Sequence, residues 1–91
     1  DILYCEVMDH RLYIHTKDTT YNYLGTLDEL HKKLDSRFFR CHKSYIVNME
    51  KVVSKQGDAA TVIGGGQVLI SRRKQQEFAQ SLLKFVRKEL L

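Results

Sequence analysis

The sequence predicts a mainly β domain of small antiparallel sheets, with one short internal helix and a C-terminal amphipathic helix. Two features carry that expectation. Three β-rich runs, each closed by turn residues, fill the first 24 positions, and helical periodicity enters only over 26–34 and again over 71–91. The composition agrees. A chain of 91 residues is a single domain with one modest core, and 43% hydrophobic with 29% charged residues is a globular balance.

Ile2 to Met8 is apolar in its first half and reads as a strand, with Asp9-His10-Arg11 as its turn. Leu12 to Thr16 is a second strand, Lys17-Asp18 the next turn, and Thr19 to Leu24 a third strand rich in Thr and Tyr. Links this short force antiparallel pairing, so the three form a meander. Thr26-Leu27-Asp28-Glu29 then fits a capping box, in which the Thr and Glu side chains satisfy each other's orphan amides. Leu27, Leu30 and Leu34 make one face of the helix, leaving His31, Lys32 and Lys33 on a solvated face.

Ser36 to Met49 is the least regular stretch. Beyond it, Lys51 to Lys55 and Ala59 to Ile63 read as strands about a Gln56-Gly57-Asp58 turn. Gly64-Gly65-Gly66 closes a second hairpin onto Gln67 to Ile70, since glycine tolerates positive φ at successive positions. A phosphate-loop reading of these glycines fails, because no Gly-Lys-Ser/Thr follows and no helix begins there. Ser71 is expected to N-cap a long helix to Leu91, with Phe78, Leu82, Phe85, Val86 and Glu89-Leu90 at helical spacing.

Fifteen Lys and Arg against 11 Asp and Glu give a net charge of +4, which admits a polyanionic partner without requiring one. No apolar run approaches the roughly 18 residues of a membrane-spanning helix, and no signal peptide opens the chain, so a cytoplasmic location is expected. Cys5 and Cys41 are too few for a disulfide scaffold and read as buried free thiols; a redox pair is the alternative. The abrupt start at Asp1-Ile2-Leu3 reads as a domain cut from a longer protein.

The start of the last helix is chemically odd. Arg72, Arg73 and Lys74 stand at the positive end of the helix dipole, where acidic residues are usually preferred. Free amides and clustered guanidiniums there suit a phosphate, and one arginine could instead reach a guanine edge. The plain alternative is that the three side chains splay into water. A second candidate is the polar run Arg40 to Ser44, read as a basic loop between the anchors Phe38, Phe39, Tyr45, Ile46 and Val47. His10-Arg11 on the first hairpin turn is a third, with a merely solvated turn as its alternative.

Catalytic and metal readings are weaker. Cys41 and His42 are adjacent, so on an extended chain they point to opposite faces and make a poor nucleophile–base pair. The four histidines and two cysteines lack zinc-ligand spacing. Asp1, Glu6 and Asp9 are scattered on one hairpin. No catalytic constellation, metal or cofactor is therefore expected.

Phe38-Phe39-Arg40-Cys41-His42-Lys43-Ser44-Tyr45-Ile46-Val47-Asn48 resembles the LytTR domain, whose signature runs Arg-x-His-x-Ser-x-x-Val-Asn. Asp1 to Glu6, Gly25 to Leu30 and Val68 to Arg73 resemble that family's early strand, short helix and closing basic turn, so the likeness covers nearly the whole chain. The resemblance implies an elongated fold of small antiparallel β-sheets. It also implies a noncatalytic output domain of bacterial response regulators in two-component systems, binding imperfect direct repeats in promoter DNA by loops set in successive major grooves. It implies an upstream receiver domain, and leaves open a dimer on DNA. Base-reaching places fall on His10, Lys43 and Arg73, with Arg11, Arg40, His42, Ser44, Arg72 and Lys74 as neighbours, some of them phosphate contacts. Two departures stand out: one more strand usually precedes the point where this chain starts, and Lys43 replaces a residue that is often uncharged. The long last helix exceeds the family pattern, and is expected either to cap a sheet edge or to pair with another chain. A protein-interaction module, whose basic face docks an acidic partner, is the runner-up reading.

Overall fold

A computed structural model describes residues 1–90, with side chains through Val86. The side chains of Glu89 and Leu90, expected on the apolar face of the last helix, lie outside the described residues, as does Leu91.

The meander forms as its short links dictate. Strands β1 (Ile2–Met8), β2 (Arg11–Thr16) and β3 (Thr20–Leu24) pair antiparallel, within a residue of the expected bounds. Helix α1 (Leu27–Lys33) follows. Its cap is half of the expected box. The Glu29 N–H donates to Thr26 Oγ1 at 3.2 Å, but the Glu29 carboxylate accepts the Thr26 hydroxyl and not the Thr26 amide. His31 is also not purely solvated, since its Nε2 lies 3.2 Å from the Phe38 carbonyl.

The stretch that looked least regular is a regular hairpin. β4 (Phe38–His42) and β5 (Tyr45–Asn48) pair across a turn of two residues, Lys43 and Ser44. Arg40, Cys41 and His42 are thus strand residues, not members of a loop. Two causes hid the strands. β5 is buried along most of its length, which erases the in–out alternation, and β4 slips register between Arg40 and His42. Together they complete a five-stranded sheet in the order β3-β2-β1-β5-β4.

After a 3₁₀ turn at Met49–Lys51, β6 (Val52–Gln56), β7 (Ala59–Val62) and β8 (Gln67–Leu69) make a second, three-stranded antiparallel sheet. Gly57, Gly64 and Gly65 take positive φ at its turns. The last helix starts later than expected. Ser71 precedes a 3₁₀ turn at Arg72–Lys74 and makes no side-chain cap; its carbonyl accepts the Lys74 N–H at 2.9 Å. Helix α2 then runs Gln75–Leu90.

The larger sheet is covered on both faces. Cys5, Leu12, Phe38 and Ile46 pack under Leu27 and Leu30 of α1. Cys41 and Val47 pack with Met49, Ala60, Val62, Val68, Ile70 and Phe78, which come from the small sheet, its connections and α2. Phe78 is wholly buried and meets Phe39 edge to face at 6.0 Å, so α2 lies against β4, an edge strand. Burying one such ring stabilises by about 1.5–3 kcal/mol. Asn48 is the buried polar residue among those described, and both ends of its amide are used. Nδ2 donates to the Ile2 carbonyl at 2.8 Å, and Oδ1 accepts the Glu50 N–H at 3.1 Å. The molecule is longer in one direction than the others, at 38 × 29 × 24 Å.

Candidate nucleic-acid interface

Three connections converge because the β4–β5 turn sits between the other two. The Val7 N–H donates to the Ser44 carbonyl at 3.1 Å, tying the first hairpin to that turn. The Ser71 N–H donates to the Cys41 carbonyl at 2.8 Å, tying the segment after β8 to the same hairpin. A cleft of about 440 Å³ has His10, Arg40 and Lys43 in its wall, with Asp28 beside them. On the other side, a second cleft brings His42 together with Ser71, Arg72 and Gln75, with Asp58 as its acidic member. His10, Arg40 and Lys43 thus share one cleft and His42 and Arg72 another, and the β4–β5 hairpin is bonded to both neighbouring connections.

Their individual states differ. Asp9 and His10 are the two central residues of the β1–β2 turn and both have positive φ, 49° and 66°. A two-residue hairpin turn with that conformation matches the twist of its strands, but glycine or asparagine usually supplies it. His10 is exposed at the tip. Arg11, half-buried, gives one edge of its guanidinium to Asn22, with Nε and Nη2 at 3.1 and 2.9 Å from Oδ1.

Lys43 is exposed at the tip of the middle turn. The Ser44 N–H donates to His42 Nδ1 at 3.0 Å. That bond fixes the tautomer: Nδ1 accepts, so the ring proton is on Nε2 and points away as a donor. His42 also meets the Tyr45 ring edge to face at 5.7 Å. Arg40, expected as a DNA neighbour, is engaged within the molecule, to the His42 and Lys43 carbonyls and to Asp28.

The cation cluster splits into two classes. Arg72 and Arg73 are exposed and enter none of the ion pairs found among the described residues. Lys74 is partly buried, 3.7 Å from Glu77 and 5.9 Å from the centre of the Phe39 ring. Its charge is answered locally, which removes part of the expected dipole penalty.

The Cys41–His42 pair is not arranged as a nucleophile and base. Cys41 is fully buried, its thiol is pushed up to about 12 by burial, and its Sγ faces the Tyr45 carbonyl at 3.8 Å. His42 Nδ1 is already filled by the Ser44 amide. Among the described residues, no three His, Cys, Asp or Glu side chains gather as a metal requires. Cys5 and Cys41 are free and belong to different core clusters, on opposite faces of the larger sheet. No helix is long and apolar enough to cross a membrane among the described residues.

Sequence reasoning missed the groups that hold the cations in place. Asn22 and Asp28 lie 11 and 12 residues from the arginines they engage, and no local pattern signals such pairs.

Comparison with known proteins places these features in context. A family model described as LytTr DNA-binding domain matches residues 1–83. Accessory gene regulator protein A of Staphylococcus aureus (strain N315) is 41% identical over 56 residues, which is 59% of this chain and 23% of that protein. Its counterpart in Staphylococcus epidermidis is 39% identical over the same length and shares. The chain thus spans about a quarter of the length of these curated relatives. A solved LytTr DNA-binding domain from Bacillus cereus superposes with a TM-score of 0.78 at 24% identity, covering 89% of this chain and 80% of that one, so the fold is shared.

Proposed function

Since this chain belongs to the LytTr DNA-binding domain family, whose members bind DNA and are not enzymes, we propose that it reads double-stranded promoter DNA through loops and not through a recognition helix. The observation that carries this reading is the row of exposed donors on adjoining connections: His10, Lys43, and Arg72 with Arg73. Each connection is anchored to a paired strand, so its backbone has little freedom to lose on binding. Helix α2 cannot serve as a recognition helix along its inner face, because Phe78 is buried against the sheets.

In this reading His10, Lys43 and Arg73 reach base edges in successive major grooves, at imperfect direct repeats. Arg11, His42, Ser44, Arg72 and Lys74 serve as phosphate or sugar contacts around them. The full-length protein is a cytoplasmic response regulator with an upstream receiver domain. The 91 residues form one DNA-binding domain.

Selection of random duplexes with the purified chain tests the reading. A direct-repeat motif is expected, and Arg73→Ala should cost about 1–3 kcal/mol on the selected site and little on random duplex. Equal losses on both would make Arg73 a phosphate contact. Affinity should also fall steeply with salt, through counterion release. Absence of any enriched motif, with acidic polypeptide competing as well as duplex, would favour a protein-docking role.

A further inference from the structure

Each nitrogen of the Arg40 guanidinium donates one hydrogen bond within the molecule. Nε donates to the His42 carbonyl at 2.9 Å and Nη2 to the Lys43 carbonyl at 2.8 Å. Nη1 donates to Asp28 Oδ1 at 2.6 Å. One edge of a planar fork thus grips two successive carbonyls, while its other side is held by a carboxylate from the first turn of α1. A lysine ammonium, a point donor, cannot reproduce that arrangement.

With the Val7–Ser44 and Ser44–His42 bonds added, all three carbonyls from 42 to 44 and the Ser44 amide are bonded. The Lys43 side chain is exposed at the tip. We propose that Arg40 is a positioning residue for the DNA-reading turn, held by Asp28, so that α1 sets the direction in which Lys43 points. This rests on the DNA-binding reading above.

Asp28 makes the proposal testable by sign. Its side chain is 82% exposed and stands in the wall of the cleft that holds His10 and Lys43. A carboxylate there repels a polyanion. If Asp28 acted only through its charge, neutralising it would tighten binding to every duplex. If it positions Arg40, neutralising it loosens binding to the correct sequence alone.

The test uses the 91-residue chain, the duplex that the wild type selects from a random pool, and a random duplex of equal length. For Asp28→Asn, affinity for the selected duplex is expected to fall about tenfold, with random duplex unchanged or slightly tighter and the salt slope unaltered. Arg40→Lys keeps the charge, yet should lose selectivity as Arg40→Gln does. Retained affinity in Arg40→Lys, or tighter binding to both duplexes in Asp28→Asn, would make Arg40 a latent phosphate contact and overturn the proposal. Thermal melts accompany each variant, and if the Arg40 variants do not fold, Asp28→Asn decides alone. A wild type that selects no sequence removes the DNA-reading premise itself. A selective wild type whose variants keep the same selectivity ratio removes only this inference.

Discussion

His10 holds a φ of 66° next to Asp9 at 49°, although neither is glycine. A left-handed conformation costs an ordinary L-residue roughly 1–2 kcal/mol, less for Asp. Strain retained at an exposed tip is accounted for if the imidazole is needed there. His10→Gly should therefore leave stability unchanged or raise it by up to about 1 kcal/mol, because glycine meets no Cβ penalty. The same variant should weaken binding to the selected duplex about tenfold, if His10 reaches a base. Denaturant unfolding and duplex titration of one preparation separate the two effects, and a clear stability loss would show that His10 serves the fold. At this scale much of the candidate interface was legible, because Arg72, Arg73, Lys43 and His10 announce themselves as cations or donors beside turn residues. What was not legible is how each cation is employed. Lys74 and Arg40 look like their neighbours in sequence; Glu77 meets Lys74 three residues on, whereas only the fold brings Asp28 to Arg40.

Elements were legible where a periodic pattern meets one buried face. Helix α1 is such a case, with Leu27 and Leu30 inward and a threonine cap outside. Thr26→Ala removes the acceptor of the Glu29 N–H and should cost about 1 kcal/mol, read as a lower melting temperature. Because Asp28 lies in the same turn, loosening this end of α1 should also reduce selectivity for the preferred duplex, without changing the salt slope. Unchanged melting would mean that the amide finds water at no cost. The β4–β5 hairpin was hidden for the opposite reason. Strands covered on both faces lose their alternation, and a bulge shifts the phase of what remains. The start of α2 was misjudged because a serine beside three cations resembles a cap. In the structure the Ser71 amide instead reaches the Cys41 carbonyl, and a 3₁₀ turn intervenes.

The molecule as a whole is a sheet with a core on each face, and each core contains one buried thiol. Cys5 lies under α1, and Cys41 lies against the small sheet and α2. Burial pushes each from 9.0 to about 12, since a thiolate would lose its hydration there. The folded value is the raised one, so below pH 9 both states hold neutral thiols and no stability is lost. Above it the unfolded chain ionises first, binds fewer protons and gains stability relative to the folded form. Each thiol should then remove about 1.4 kcal/mol of stability per pH unit between about 9 and 12. Burial also raises Tyr4 and Tyr45, so alkaline loss is not the thiols' alone. Comparing urea unfolding from pH 7 to 11 in the wild type and in the Cys5→Ala, Cys41→Ala double variant isolates the share due to sulfur. The variant starts less stable, because two buried side chains are truncated, but its curve should fall less steeply above pH 9. Parallel curves would mean that the thiolates find solvent without unfolding, and that neither core is closed at its cysteine.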